Sequence, residues 1–119
     1  MEERKEKFTP GPWHIKPREA CVTCFGISYS RTKILDTPDG QYSPRHVIAQ
    51  IARGNGREEA NAALISKAPE MYAMLEEAYG TINDMAEDCF AAGNIKDEAV
   101  FRAKAEKIYK LLKEARGEE

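Results

Sequence analysis

RGNGREEANAALISKAPEM, residues 53–71, is where one sequence pattern stops and another begins. Upstream of it, residues 8–52 hold most of the prolines, and their apolar runs are short, which is the signature of strands and turns. Downstream, residues 57–119 are rich in Ala, Glu, Lys, Leu and Met and hold one proline, which is the signature of helices. The stretch itself packs two arginines and two glycines into RGNGR and then runs straight into a helical pattern. Its reading fixes the fold class as α+β: a small antiparallel sheet of about four strands, then a short helix, then a long αα-hairpin. One domain over residues 1–119 is expected, with a sheet half at 8–56 and a helical half at 57–119.

In the sheet half, Phe8-Thr9-Pro10-Gly11-Pro12-Trp13 is a rigid lead-in, because two prolines and a glycine exclude regular structure. Strands are predicted at Trp13–Lys16, Cys21–Tyr29, Lys33–Asp36 and His46–Ala52. The connection from Thr37 to Arg45, with Pro38, Asp39-Gly40 and Pro44, predicts a hairpin with a wide loop. Such short connections predict an antiparallel meander.

In the helical half, Ala60, Ala63 and Leu64 share one face of a short helix ending near Ser66, and Pro69 sits where a second helix starts. Met71, Leu75, Ala78, Ile82, Met85 and Cys89 then form a heptad seam, as do Phe101, Ala105, Ile108, Leu112 and Ala115. Gly93 falls at a C′ position and Asn94 at an N-cap, with Asp97 three residues on. The hairpin is therefore predicted at about 69–92 and 95–117. Tyr72, Tyr79, Ala86 and Phe90, and Val100, Tyr109 and Leu111, add further apolar stripes. Helices apolar on more than one side must bury both, so self-association is expected.

Composition narrows the function. Eighteen basic residues against twenty acidic give a net charge of −2, without the basic field a general DNA-binding protein needs. No apolar run reaches the roughly 20 residues of a membrane span, and the charged start MEERKEKF is no signal peptide. A cytoplasmic protein with free thiols is expected. Cys21 and Cys24 form a C-x-x-C, but in a strand-like run rather than at a helix start, and His14, His46 and Cys89 have no zinc-ligand spacing. No Walker lysine, H-E-x-x-H or deaminase signature is present. The expectation is a protein with no catalytic residues, no metal and no cofactor.

RGNGREE remains open between two readings. Arg53, Asn55, Gly56 and Arg57 precede a helix N-terminus, whose amides and two guanidiniums can hold a phosphate. Equally, Asn and Gly supply turn geometry, and Glu58 and Glu59 serve the helix dipole and repel an anion. Asn61, one turn in, can read a ribose or a base edge. Trp13 and Phe25 can stack a base, although sheet core is the simpler role for each. Lys104, Lys107, Lys110 and Lys113 read as a solvated face, with Lys110 close to where an oligomer interface could focus charge.

FTPGPW at residues 8–13 and EANAALISKAPEM at 59–71, in that order and at that separation, resemble a widespread group of small phage and prophage proteins. In these, a TPGPW lead-in and short strands precede an ANA-LI-AAPE helix. With two long C-terminal helices, the chain looks like the Thoeris anti-defence one family, through motifs covering about a sixth of its length. That resemblance implies a sponge: a protein that sequesters cyclic ADP-ribose isomers made by bacterial TIR-domain proteins, with some members also taking cyclic oligonucleotides. It also implies a dimer-based assembly, up to a hexamer, with pockets between subunits. For such a ligand the local chemistry of the residues, and not the resemblance, gives the expected contacts: Arg57, Asn61, Arg53, Phe25, Trp13 and Lys110. The rival expectation is a protein-binding inhibitor that plugs a host protein through its helical hairpin.

Overall fold

A computed structural model describes residues 8–23, 26–37, 46–52 and 56–118, with residues 21–23, 28 and 29 described through their backbone. The strands are β1 (His14–Lys16), β2 (Ala20–Thr23), β3 (Gly26–Tyr29), β4 (Lys33–Leu35) and β5 (Val47–Gln50); the helices are α1 (Glu58–Ser66), α2 (Ala68–Ala91) and α3 (Ile95–Ala115). The fold is α+β, as the switch in periodicity predicts. The chain divides into two compact units: Thr9–Glu70, and Phe8 with residues 71–118.

In the first unit, β4 is the centre of a three-stranded antiparallel sheet of order β1-β4-β5. β1 pairs with β4 through His14–Leu35, Ile15–Ile34 and Lys16–Lys33. β4 pairs with β5 through Lys33–Gln50, Ile34–Ala49 and Leu35–Val47, so Ile48 is the extra residue of a bulge. Flanked on both sides, β4 buries consecutive residues on opposite faces: Ile34 is 0% and Leu35 1% exposed. Ile34, Ile51 and Ala62 form the core, with Trp13, Ile48, Ala49 and Ile65 packed on it.

Two corrections to the predicted sheet follow. The run Cys21–Tyr29 is not one strand but a separate two-stranded hairpin, β2–β3, closed at its base by Ser30 N–H to Glu19 O at 2.9 Å. It is inserted between β1 and β4, so the sheet has three strands and is not a simple meander. The predicted β4–β5 hairpin is present; residues 38–45 of its loop lie outside the described residues. His46 Nδ1 and Asp36 Oδ1, 3.0 Å apart, join its two ends.

α1 packs against β1 and β4. Its buried residues are Ala62 and Ser66, whereas Ala60, Ala63 and Leu64, the predicted inner face, are exposed. An alanine-rich helix of nine residues carries too little pattern to orient itself; the sheet beneath decides. Pro69, which has no N–H, cannot bond the Ile65 carbonyl, so α1 stops at Ser66 and α2 starts with proline in its first turn. Pro69 also meets the lead-in: a Cβ placed on Gly11 would stand 2.6 Å from Pro69 Cβ. Trp13 donates its indole N–H to Thr9 O at 3.1 Å and packs on the core.

The second unit is the predicted αα-hairpin. α2 closes through Asn94 N–H to Cys89 O and Gly93 N–H to Phe90 O, with Gly93 at φ +78°. Asn94 caps α3: its Oδ1 accepts from Asp97 N–H at 3.2 Å, and its Nδ2 donates to Asp97 Oδ2 at 2.8 Å. Across the hairpin Tyr79 stacks on Tyr109 at 5.6 Å, and Arg116 Nη1 donates to Tyr72 Oη at 3.2 Å. Phe8 meets Tyr72 edge-on at 5.0 Å. Both cross-helix pairs sum to 188, so α2 residue n lies level with α3 residue 188 − n and the hairpin pivots on Asn94.

The observed seam of α2 is Tyr72, Leu75, Tyr79, Ile82, Ala86 and Cys89. Leu75, Ile82 and Cys89 are as predicted and Ala78 is half-buried, but Tyr72 and Ala86 are buried where Met71 and Met85 are exposed, and Tyr79 joins them across the hairpin. On α3 the seam is Phe101, Ala105, Ile108 and Leu112 as predicted; Arg116 replaces Ala115, which is exposed. The Arg116 guanidinium is held firmly charged by hydrogen bonds to Glu118 and then Tyr72.

Candidate functional site

The site is built on the first unit, where the start of α1 meets the end of β1. β1 ends at Lys16, and Pro17 and Arg18 carry the chain away from the sheet. Thr32 leads into β4, and its carbonyl accepts from Ile51 N–H at 2.8 Å, which pins the segment to the end of β5. Gly56, at φ +72°, turns the chain into α1. Between these lies a cavity of about 700 Å³ lined by Ile15, Pro17, Arg18, Thr32, Gly56, Glu58, Glu59 and Ala62. That volume is within the range of small-molecule sites, roughly 300–1,000 Å³.

The lining has two characters. Ile15, Pro17 and Ala62 give an apolar surface, while Arg18, Thr32, Glu58 and Glu59 give a polar one. Thr32, 7% exposed, donates its hydroxyl to Glu58 Oε1, which orients that carboxylate at the first residue of α1. Arg57 is the N-cap residue, but no side-chain hydrogen bond caps the helix; the Arg57 carbonyl takes the first intrahelical bond, from Asn61 N–H at 2.9 Å. Glu58 and Glu59 supply negative charge to the helix N-terminus. With one guanidinium and two carboxylates, this cavity suits a ligand with both an anionic group and several donors. A guanidinium takes a phosphate, and carboxylates accept from hydroxyls or an amine.

The sequence-predicted residues fall in several places. Arg57 and Asn61 are exposed at the start of α1, beside the cavity but outside its lining. Trp13 is half-buried against the core, its indole N–H engaged with Thr9. Arg53 and Phe25 lie outside the described residues. Lys110 is exposed on α3, in the other unit. Of the C-x-x-C, Cys21 stands on β2 and Cys24 lies outside the described residues; Cys89 is a free, half-buried thiol. Lys113 Nζ sits 5.7 Å from the centre of the Tyr109 ring, a cation–π contact within the hairpin.

Sequence reasoning missed Arg18, Thr32, Ile15 and Pro17. Each is unremarkable among its neighbours in the chain and becomes a wall only through the β1–β4 pairing. Glu58 and Glu59 were legible as dipole partners of α1 but not as cavity lining. Among the described residues, no group of three His, Cys, Asp or Glu side chains could hold a metal ion, and no helix is long and apolar enough to cross a membrane.

Comparison with known proteins matches the chain over residues 1–119 to one family model, that of Salmonella phage P22 protein Y8K6. No curated protein and no solved structure matches it. From end to end, this chain belongs to the phage P22 protein Y8K6 family.

Proposed function

We propose that this phage protein is an anti-defence sponge, which binds cyclic ADP-ribose-type signals in the host cytoplasm and holds them without cleaving them. The observation that carries this reading is the ligand-sized cavity beside the N-terminus of α1, to which the stretch that bears the resemblance contributes Glu59 and Ala62. A cyclic ADP-ribose isomer has two phosphates, ribose hydroxyls and an adenine. Arg18 is the group in the lining suited to a phosphate; Glu58 and Glu59 are suited to hydroxyl or amine donors; Ile15 and Pro17 offer an apolar surface to a base. Arg57 and Asn61, exposed at the cavity's edge, extend that set. Sequestration needs affinity rather than chemistry: nanomolar binding corresponds to about −12 kcal/mol.

The test is calorimetric titration of the full chain with cyclic ADP-ribose isomers, followed by heat denaturation and analysis of what is released. Tight binding with intact ligand recovered supports a sponge; altered ligand makes the protein an enzyme. Arg18→Glu should weaken binding at least about 100-fold, since a charge-assisted hydrogen bond contributes about 1.5–3 kcal/mol and the reversal adds repulsion. Arg57→Glu separates cavity from loop: if only Arg57→Glu abolishes binding, the anion sits over the loop instead. A second reading, a protein-binding inhibitor acting through the hairpin, is favoured by the exposed Met74, Phe90, Val100 and Leu111. It predicts no affinity for any isomer.

A further inference from the structure

The first turn of α1 brings two carboxylates to the cavity, and the surrounding residues treat them differently. Glu59 is exposed, and among the described residues it is in no ion pair. Glu58 is half-buried, and its Oε1 accepts from the hydroxyl of Thr32, which lies 26 positions earlier in the chain. Service to the helix dipole asks for no such tie, because a carboxylate at a helix start stabilises it from any rotamer. Fixing a glutamate side chain costs conformational entropy. Here a buried hydroxyl fixes it.

Thr32 is a rigid donor. It is buried, its carbonyl is pinned by Ile51 N–H, and its β-branched side chain has little χ1 freedom. The Lys16–Lys33 pairing sets it level with Pro17, so its hydroxyl stands at the cavity wall where β1 ends. Most side-chain hydrogen bonds go to backbone or water. This one instead orients a carboxylate that lines a cavity. With Oε1 on Thr32, Oε2 is left as an acceptor whose direction is set in advance.

Charge decides what that acceptor meets. Among the described residues neither Glu58 nor Glu59 is in a salt bridge, so two carboxylates repel a phosphate from their side of the cavity. The guanidinium of Arg18 attracts it. A ligand that offers a phosphate to Arg18 and neighbouring neutral hydroxyls to Glu58 is a phosphorylated ribose. We infer that Glu58 is the specificity-determining residue of the cavity and Thr32 its positioning residue, an assignment that rests on the reading of this cavity as a nucleotide site. Glu58 accepts from the cis-hydroxyls of a ribose whose phosphate faces Arg18, and the site therefore prefers ribose to 2′-deoxyribose.

The test is a heteronuclear NMR titration of the full chain with adenosine 5′-monophosphate, with its 2′-deoxy counterpart and with inorganic phosphate. The parent should bind the ribose form with the millimolar Kd of a ligand fragment, and about tenfold more tightly than the deoxy form, as loss of a hydrogen bond to a charged group predicts. Thr32→Val keeps the shape of the side chain and removes the hydroxyl; the preference should fall to within about threefold. Thr32→Ser restores the hydroxyl and should restore the preference. Glu58→Ala should lose the preference yet bind inorganic phosphate at least as tightly as the parent, because a repelling charge is gone. A bond that served only to fasten α1 to the sheet would lower stability in Thr32→Val and leave the ratio of the two nucleotides unchanged, which overturns the proposal. Equal affinity of the parent for both nucleotides, or binding of neither, also overturns it. A chain that takes cyclic ADP-ribose isomers but ignores the 2′-hydroxyl keeps the sponge reading and loses this assignment. One that prefers the ribose form and takes no cyclic isomer does the reverse.

Discussion

The two units bury their apolar side chains to different extents. Thr9–Glu70 has a closed core: Ile34, Leu35, Ile51 and Ala62 are almost wholly buried, and Trp13, Ile48 and Ile65 pack around them. The hairpin buries Tyr72, Ala86, Ala105 and Leu112 but leaves Met71, Met74, Met85, Phe90, Ile95, Val100, Tyr109 and Leu111 exposed. A three-stranded sheet with one helix laid on it has an inside. Two helices have only a seam, and any further apolar stripe needs another surface. The first unit is thus closed around its own core, whereas the second leaves a large share of its apolar side chains at its surface.

That contrast is tested most severely at Ile34. Ile34→Ala removes buried atoms from the central strand and should lower the unfolding free energy by about 2–5 kcal/mol, read from urea denaturation. Met74→Ala, on the exposed hairpin face, should change the stability of the isolated monomer by less than about 0.5 kcal/mol. Comparable losses for the two would mean that the hairpin has a core of its own.

A smaller effect is expected at the junction of the two signature motifs. Gly11→Ala puts a methyl 2.6 Å from Pro69 Cβ, and a proline ring joined to a helix start has little room to yield. Overpacking of this kind should reduce stability by about 1–3 kcal/mol. Pro69→Ala in the same chain removes the ring's Cγ but keeps its Cβ, so it should recover part of the loss. No loss in Gly11→Ala would mean the lead-in can shift away from α2. The contact gives the FTPGPW and SKAPE motifs a packing role: the tryptophan holds the lead-in to the core, and the glycine sets it against the proline that starts α2. The resemblance they carry is therefore first a statement about fold, while the residues lining the cavity lie mostly between them.

What was legible in the sequence follows from how local each cause is. Gly93, Asn94 and Asp97 act on one another within five residues, and the hairpin turn reads directly. Pro69 ends one helix and starts the next through its own missing donor. The seam of α2 is a harder case. Met71, Ala78 and Met85 have the same 3-4 spacing as Tyr72, Tyr79 and Ala86, and which set turns inward is decided by Tyr109 and Arg116 on the other helix. The β2–β3 hairpin within Cys21–Tyr29 escaped because its apolar residues run on across the turn, and Gly26, at φ +122°, was the available sign of a break. Arg18 and Thr32 escaped because the pairing of β1 with β4, across the inserted hairpin, makes them neighbours of α1.

The finest test of the contrast lies at Asn94, on which the hairpin turns. Its side chain accepts from Asp97 N–H and donates to Asp97 Oδ2, so Asn94→Ala removes both bonds at once. Loss of an N-cap costs about 1 kcal/mol. If the hairpin is the less self-sufficient unit, that loss should appear locally. Hydrogen exchange should quicken in the last turn of α2 and the first turn of α3, while protection of β4 and β5 in the other unit stays as in the parent. Gly93 preserves the left-handed turn in the variant, so the helices still meet with Tyr79 on Tyr109. Faster exchange in β4 as well would show that the two units open together, and the difference in their packing would then be one of composition and not of cooperativity.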